Sequence, residues 1–224
     1  MAQTGASVDY GEQALGTVAG LVLAAGAGQR LGSPKALLRL ADEPLVDRAV
    51  RVAVQAGCAP LVVVLGCAAE QVRKAARLEG AVVVVNEAWT TGMGSSLRAG
   101  LEALASSSPD VDAAAILLVD TPGVTPAAVG RVAALSAPQA LAVATYDGRR
   151  GHPVLLGRGH WSGVCALARG DEGARTYLAA HAGHVREVAC DDVADGSDMD
   201  TPADAQRWGI QMPAKVADPP SGPP

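Results

Sequence analysis

The segment Ala24–Lys35 reads A-A-G-A-G-Q-R-L-G-S-P-K and ends a run of apolar residues. Gly26, Gly28 and Gly32 let the backbone turn tightly and bring N–H groups close to an anion. Two familiar nucleotide loops do not fit. The dinucleotide fingerprint G-x-G-x-x-G fails because its third glycine, Gly32, comes one place late, and a Walker A loop fails because no Gly-Lys-Ser/Thr follows. The loop instead carries two cations, Arg30 inside it and Lys35 at its end. A triphosphate, with its several negative charges, needs both; a dinucleotide loop seldom carries them. Lys35 is one of only three lysines among 18 basic residues, with Lys74 and Lys215. A compact ammonium directly after Pro34 suits close contact with phosphate. The plain alternative is a surface lysine after a turn.

Two carboxylates complement these cations. Asp120 ends an apolar run, in the setting V-D-T-P, where it would stand at a sheet edge. Near the carboxyl end, Asp195, Asp198, Asp200 and Asp204 crowd the segment D-G-S-D-M-D-T-P-A-D. Mg²⁺ takes one or two carboxylates and otherwise phosphate oxygens and waters, so two acids from separate segments meet its needs. A turn or cap aspartate and a solvated acidic loop are the alternatives. That loop leads into a helix capped by Thr201, with Pro202 at its first position. One further segment carries candidate binding groups by its residue types alone. In T-T-G-M-G-S-S-L-R-A-G-L, from Thr90 to Leu101, Gly92, Gly94, Ser95 and Ser96 could approach a flat base, or simply open a helix capped by Ser95. Arg149, Arg150 and Arg175 suit an anionic acceptor, since guanidinium pairs with phosphate in bidentate fashion; they equally suit a solvated surface. On residue type alone, His152 reads as a core or turn histidine.

The elements that must position these residues are legible as short apolar runs alternating with helical patterns. Strands are predicted at Val18–Ala25, Leu61–Leu65, Ala81–Val85, Ala113–Val119, Leu141–Tyr146, Val154–Leu156 and Val185–Ala189. Helices are predicted at Pro44–Ala56, Ala69–Leu78, Ser95–Ala105, Pro126–Leu135 and Gly173–His181. The early strands are continuously apolar, as parallel strands buried on both faces must be. The pattern is an open α/β sheet with helices on both sides, and ligands in such sheets bind beyond the carboxyl ends of the strands. A loose leader is expected at residues 1–16, one folded domain at 17–210, and a disordered tail with five prolines at 211–224. Hydrophobic residues make up 49% of the 224 and the net charge is −5. A packed globular protein follows, without the basic stripe that binds nucleic acid. Cys58, Cys67, Cys165 and Cys190 show no metal spacing and read as free thiols in a reducing cytosol. No apolar run approaches the roughly 20 residues of a membrane span, and no basic signal region precedes Arg30. A cytoplasmic protein is expected.

L-A-A-G-A-G-Q-R-L-G-S-P-K resembles the signature L-A-A-G-x-G-x-R-x-G-x-x-K of the MobA-like NTP-transferase superfamily. G-M-G-S-S-L-R-A-G-L, G-H-P-V and G-D-E-G-A-R are similar to segments of its molybdenum-cofactor cytidylyltransferase branch, and D-M-D-T-P-A-D resembles its D-I-D-T-P-E-D. The resemblance implies a single three-layer α/β/α domain, Rossmann-like, with a mostly parallel mixed sheet. It implies transfer of a nucleoside monophosphate, CMP from CTP first, to a phosphorylated acceptor such as molybdopterin, with pyrophosphate released. Mg²⁺, or Mn²⁺ in its place, would be held by Asp120 and Asp200, with Asp198 the next choice. Leu23, Ala24, Ala25, Gly26, Gly28, Arg30 and Lys35 would bind the nucleotide with Gly92, Gly94, Ser95 and Ser96. Lys35, Arg30 and Asp120 would be catalytic, and His152, Asp171, Gly173 and Arg175 would face the acceptor. A molybdoenzyme or maturation factor would be a protein partner. The alternatives are a guanylyl-, sugar-, polyol- or phospholactate-phosphate nucleotidyltransferase, or a non-catalytic nucleotide- or cofactor-binding protein. A dinucleotide-dependent oxidoreductase lacks the expected glycine spacing. Two departures stand out: Ala41-Asp42-Glu43-Pro44 where the family commonly has Gly-Gly-x-Pro, and Thr121 where it commonly has Gln.

Overall fold

A computed structural model describes residues 16–78 and 80–211. Strand β1 (Val18–Ala24) is followed by two 3-10 turns, Gln29–Leu31 and Lys35–Leu37. Short strands β2 (Arg39–Leu40) and β3 (Glu43–Pro44) lead into helix α1 (Leu45–Gln55). Then come β4 (Leu61–Leu65), α2 (Ala69–Ala75), β5 (Ala81–Val85) and α3 (Met93–Ser107). β6 (Ala113–Leu118) and α4 (Pro126–Ala133) precede the hairpin of β7 (Leu141–Tyr146) and β8 (Arg149–Gly157). The order closes with α5 (Trp161–Leu167), α6 (Arg175–Ala180), β9 (Val185–Ala189), α7 (Pro202–Arg207) and β10 (Ile210–Gln211).

The main sheet has seven strands in the order β5-β4-β1-β6-β8-β7-β9. All neighbours are parallel except β6–β8 and β8–β7. Alternation across the pleat divides the core. Val22, Val63 and Ala115 face one side with Ala49 and Ala53 of α1 and Val129 of α4. Leu21, Val64 and Ile116 face the other with Leu101 of α3 and Val164 of α5. This is the three-layer, mostly parallel mixed sheet that the sequence implied. A three-stranded ribbon, β10-β2-β3, joins the chain's late segment to the region after the glycine loop.

Several boundaries differ from expectation, each for a local reason. β1 and β6 stop one residue early, at Ala24 and Leu118. β5 is not buried on both faces, because it is the sheet's edge; Val82 is 51% exposed. α3 starts at Met93 rather than Ser95. Gly92 is its cap, and the Ser95 hydroxyl bonds back to the Ala88 and Gly92 carbonyls instead of capping. α6 starts at Arg175, after the left-handed Gly173 (φ 54°). β8 runs from Arg149, longer than the predicted Val154–Leu156, and α5 was not foreseen. α7 begins as predicted, with Pro202 first and Thr201 and Asp204 forming a reciprocal cap. The expected leader and tail lie outside the described residues, apart from Gly16 and Gln211.

One carboxylate fixes the crossover towards β5. Asp47 in α1 accepts the Arg77 N–H at 3.0 Å and the Leu78 N–H at 3.1 Å, where Leu78 takes a positive φ of 47°. Asp47→Ala leaves both donors without this partner and should cost about 1–3 kcal/mol, read as a lower urea midpoint with nucleotide affinity unchanged. An unaltered midpoint would show that the crossover does not depend on this tie.

Candidate active site

A cleft of about 780 Å³ opens at the carboxyl ends of β1 and β6. The start of β8 joins this edge because β8 runs antiparallel to β6, which brings Arg150, Gly151 and His152 into the cleft wall. Leu23 and Ala25 bring the chain to the rim, and the glycine loop then folds over it. Gly28 has φ 60°, and a Cβ there would run into the Ser33 carbonyl. Glycine is therefore required by the loop itself. Gly26 is different: a Cβ there would meet nothing within 4 Å, and it lines the cleft. Its missing side chain leaves the cleft open at this point and is not required by the packing of the fold.

Lys35 is held at the foot of this loop. Its Nζ donates to Asp120 Oδ2 at 2.8 Å and to Asp200 Oδ1 at 2.5 Å. Arg30 stands 3.5 Å from Asp200 Oδ2, largely in solvent. Asp120 Oδ1 is buried and has no hydrogen-bond partner among the described residues. The late acidic segment reaches the site through its backbone. The Met199 N–H donates to the Asp120 carbonyl at 2.8 Å, and the Met199 side chain is fully buried. With Met199 turned into the core, Asp198 and Asp200 on either side line the cleft. Arg48 of α1 donates to the Pro122 carbonyl at 2.8 Å and steadies the turn after Asp120.

Charge has moved the proton affinities of this cluster. Burial alone would lower the Lys35 pKa, but Asp120 and Asp200 outweigh it and leave it above the usual lysine value. Partial burial of the Asp198 carboxyl, then the nearby Asp120 and Asp200 charges, push its pKa up; Lys35 and Arg175 oppose that. His152 lies deep in the cleft, and burial drives its pKa down to about 4, with Asp120 partly opposing. It is neutral at pH 7.

The second wall starts from Asn86, the residue after β5. Its buried amide donates to Ser95 Oγ at 2.8 Å and Ser96 Oγ at 3.0 Å, and its carbonyl accepts the Ala88 N–H at 3.0 Å. Ser96, Gly92 and Trp89 line the cleft. Asp171 lines it too, and its carboxylate accepts the Met93 N–H at 3.3 Å, tying the start of α3 to the 170–172 turn.

The site thus gathers Leu23, Ala25, Gly26, Gly28, Arg30 and Lys35 with Asp120, Asp198 and Asp200. Gly92, Ser96, His152, Asp171 and Arg175 complete it. Four expected members stand elsewhere. Ala24 alternates away, into the core beneath α1. Ser95 turns to Asn86 and the Gly92 carbonyl. Gly173 is buried beside Met93. A Cβ on Gly94 would lie 2.7 Å from the Arg169 nitrogen, so its small size serves packing. Asn86, Trp89 and Met199 were missed. Asn86 had the same signal as Asp120, a polar residue ending an apolar strand.

Among the described residues no group of three or more His, Cys, Asp or Glu is arranged to hold a metal. The donor pair Asp120 and Asp200, with one orphaned buried oxygen, nevertheless fits a hard cation that takes its remaining ligands from phosphate and water.

Fold and site together define an α/β protein of the NTP-transferase kind. The MobA-like NTP transferase domain matches residues 20–185, and the chain belongs to that family. It is 38% identical over 199 residues to nicotine blue oxidoreductase of Paenarthrobacter nicotinovorans, covering 85% of this chain and 96% of that protein. Among solved structures it is similar to Rv0371c of Mycobacterium tuberculosis H37Rv, with TM-score 0.71 and 35% identity over 86% of this chain and 97% of the other. A manganese complex of Rv0371c is also known, at TM-score 0.68 and 33% identity, over 86% of this chain and 97% of that one. The nucleotidyl transferase Mth528 of Methanothermobacter shares the fold, with TM-score 0.71 at 23% identity over 85% of this chain and 95% of its own.

Gly94→Val should lower the melting temperature by several degrees, the consequence of an overpacking cost of roughly 1–3 kcal/mol, because α3 must move off the 168–169 backbone. A variant that melts like the wild type but binds nucleotide poorly would put Gly94 back on the ligand side.

Proposed function

We propose that this chain transfers a nucleoside monophosphate, CMP from CTP, to a small phosphorylated acceptor, with molybdopterin or molybdenum cofactor as the first candidate. The observation that carries the reading is Lys35 held between Asp120 and Asp200 at the foot of a glycine loop, in one cleft. An acceptor phosphate oxygen attacks the α-phosphorus, the bond to the bridging oxygen of the β-phosphate breaks, and pyrophosphate leaves. The chain's part is positioning and charge stabilisation. The loop from Ala25 to Gly28 offers backbone to the triphosphate, and Arg30, largely exposed beside Asp200, reaches the outer phosphates. Lys35 meets the charge that grows on the reacting phosphates. A divalent ion, Mg²⁺ or Mn²⁺, held by Asp120 and Asp200, would supply further charge stabilisation when bound. On the acceptor side, neutral His152 can bond a phosphate or hydroxyl without repulsion from Arg175, which pairs with the anion. Asp171 keeps α3 and the acceptor-side turn together. Ser96, with its small neighbours, supports a pyrimidine more readily than a purine. The acidic charge balance suits small-molecule substrates in the cytoplasm, with a molybdoenzyme as the protein that receives the product.

A second reading has one observation in its favour: the 38% identity to a protein named as an oxidoreductase extends over nearly the whole of both chains. The two readings part in one experiment. Pyrophosphate release is followed with each NTP, with and without molybdopterin, beside oxidation of NADH and NADPH with an electron acceptor. Acceptor-dependent pyrophosphate release supports transfer; pyridine-nucleotide oxidation without pyrophosphate overturns it.

In that assay kcat/KM for CTP should exceed that for GTP by roughly tenfold or more, because polar groups built for one base edge stay unpaired with the other. Equal or better use of GTP would keep the reaction class and reverse the base assignment. Asp120→Asn should fold normally and lose on the order of 10²-fold in turnover, comparable with loss of one electrostatic stabiliser. A rate near that of the wild type would remove Asp120 from the chemistry.

A further inference from the structure

The carboxylate pair already holds a cation of its own. Its four oxygens differ in what they meet. Asp120 Oδ2 and Asp200 Oδ1 are on the Lys35 ammonium at 2.8 and 2.5 Å. Asp200 Oδ2 faces Arg30 at 3.5 Å. Asp120 Oδ1 is buried out of reach of solvent. A divalent ion that bridges the two carboxylates from the cleft therefore competes with Lys35 for Asp120 Oδ2 and Asp200 Oδ1. The two cations cannot share them, since an ammonium and a divalent ion on the same carboxylate oxygens repel strongly at such short range. The ammonium is also firmly seated: only 15% of the side chain is exposed.

We propose that Lys35 is the resident counter-ion of the metal site, and that a divalent ion takes Asp120 and Asp200 only as Lys35 leaves them, a departure that the nucleotide's phosphates favour. The inference rests on the metal reading given under the proposed function. Its structural requirement is that the lysine can leave while the loop stays. The backbone is anchored on the far side of Lys35 by Ala36 and Leu38, which are 1% and 0% exposed. The movable part is the four-carbon stem, and both lysine and glycine loop line the same cleft. A triphosphate entering beneath the loop offers the ammonium a new anion and frees the carboxylates in the same event. Metal and nucleotide then bind cooperatively, each raising the affinity of the other by the same factor. Metal-free protein also avoids leaving two carboxylates face to face without a partner.

The probe is Mn²⁺ alone, titrated into the full chain without nucleotide and followed by the electron-spin signal of the free ion. Lys35→Met and Lys35→Gln remove the charge, with folding checked by circular dichroism. Both variants should bind Mn²⁺ about tenfold more tightly than the wild type, within the usual range of coupling between sites. Equal or weaker binding by a folded variant overturns the proposal and leaves the metal site standing. Absence of Mn²⁺ binding by every form, with and without CTP, overturns the metal reading as well. The wild type gives an independent arm. At saturating Mn²⁺ without nucleotide, Lys35 is displaced, so its reductive methylation should accelerate relative to that of the exposed Lys74. An unchanged ratio while Mn²⁺ is bound contradicts the exchange.

Discussion

The convergence of Asp120 and Asp200 on one lysine is the contact on which the rest of the site depends. Lys35 lies 85 residues from Asp120 and 165 from Asp200 in sequence, so no local structure can bring them together. The sheet does it. β1 and β6 pair in parallel with Leu23 opposite Leu118, which sets the glycine loop and Asp120 side by side at one edge. The Met199 N–H then bonds to the Asp120 carbonyl, and the buried Met199 side chain fixes which way its acidic neighbours point. Partly buried ion pairs add little net stability once desolvation is counted. Two carboxylates gathered on one ammonium are thus better understood as an arrangement for chemistry than as a support for the fold.

Much of this was legible in the residues. Four of the seven main strands, β4, β5, β7 and β9, match the predicted limits; the first three are near-continuous apolar runs between turn signals, which admit few alternatives. The strand-end rule found the loop and Asp120. It found His152 only through family resemblance, since an antiparallel strand delivers its beginning, not its end, to the ligand edge. The segment from Gly92 to Ser96 was half legible. A glycine reads the same whether a ligand or a piece of backbone comes close, and at Gly94 it is the backbone of Ala168 and Arg169. Asn86 was passed over although it organises that wall. Its importance lies in tertiary hydrogen bonds to Ser95 and Ser96, which no periodicity reveals.

The family defines the scaffold more sharply than the reaction. The chain belongs with the MobA-like NTP transferases, and one protein similar to it over nearly its full length bears the name of an oxidoreductase. The failed glycine fingerprint excludes one loop geometry, that of the dinucleotide fold. What distinguishes nucleotidyl transfer is the pairing of a cation at the phosphates with two acids beside it, opposite a neutral histidine and an arginine. In this chain all of these groups face the same cleft.

In the proposed reaction the α-phosphorus is the centre attacked. Two labels in CTP, one on the α-phosphate and one on the γ-phosphate, locate the attack when molybdopterin is the acceptor. The α label should enter the acceptor and the γ label should leave in pyrophosphate, in equal amounts. Transfer of the γ label to the acceptor, or turnover of the acceptor with both labels still in intact CTP, would contradict it.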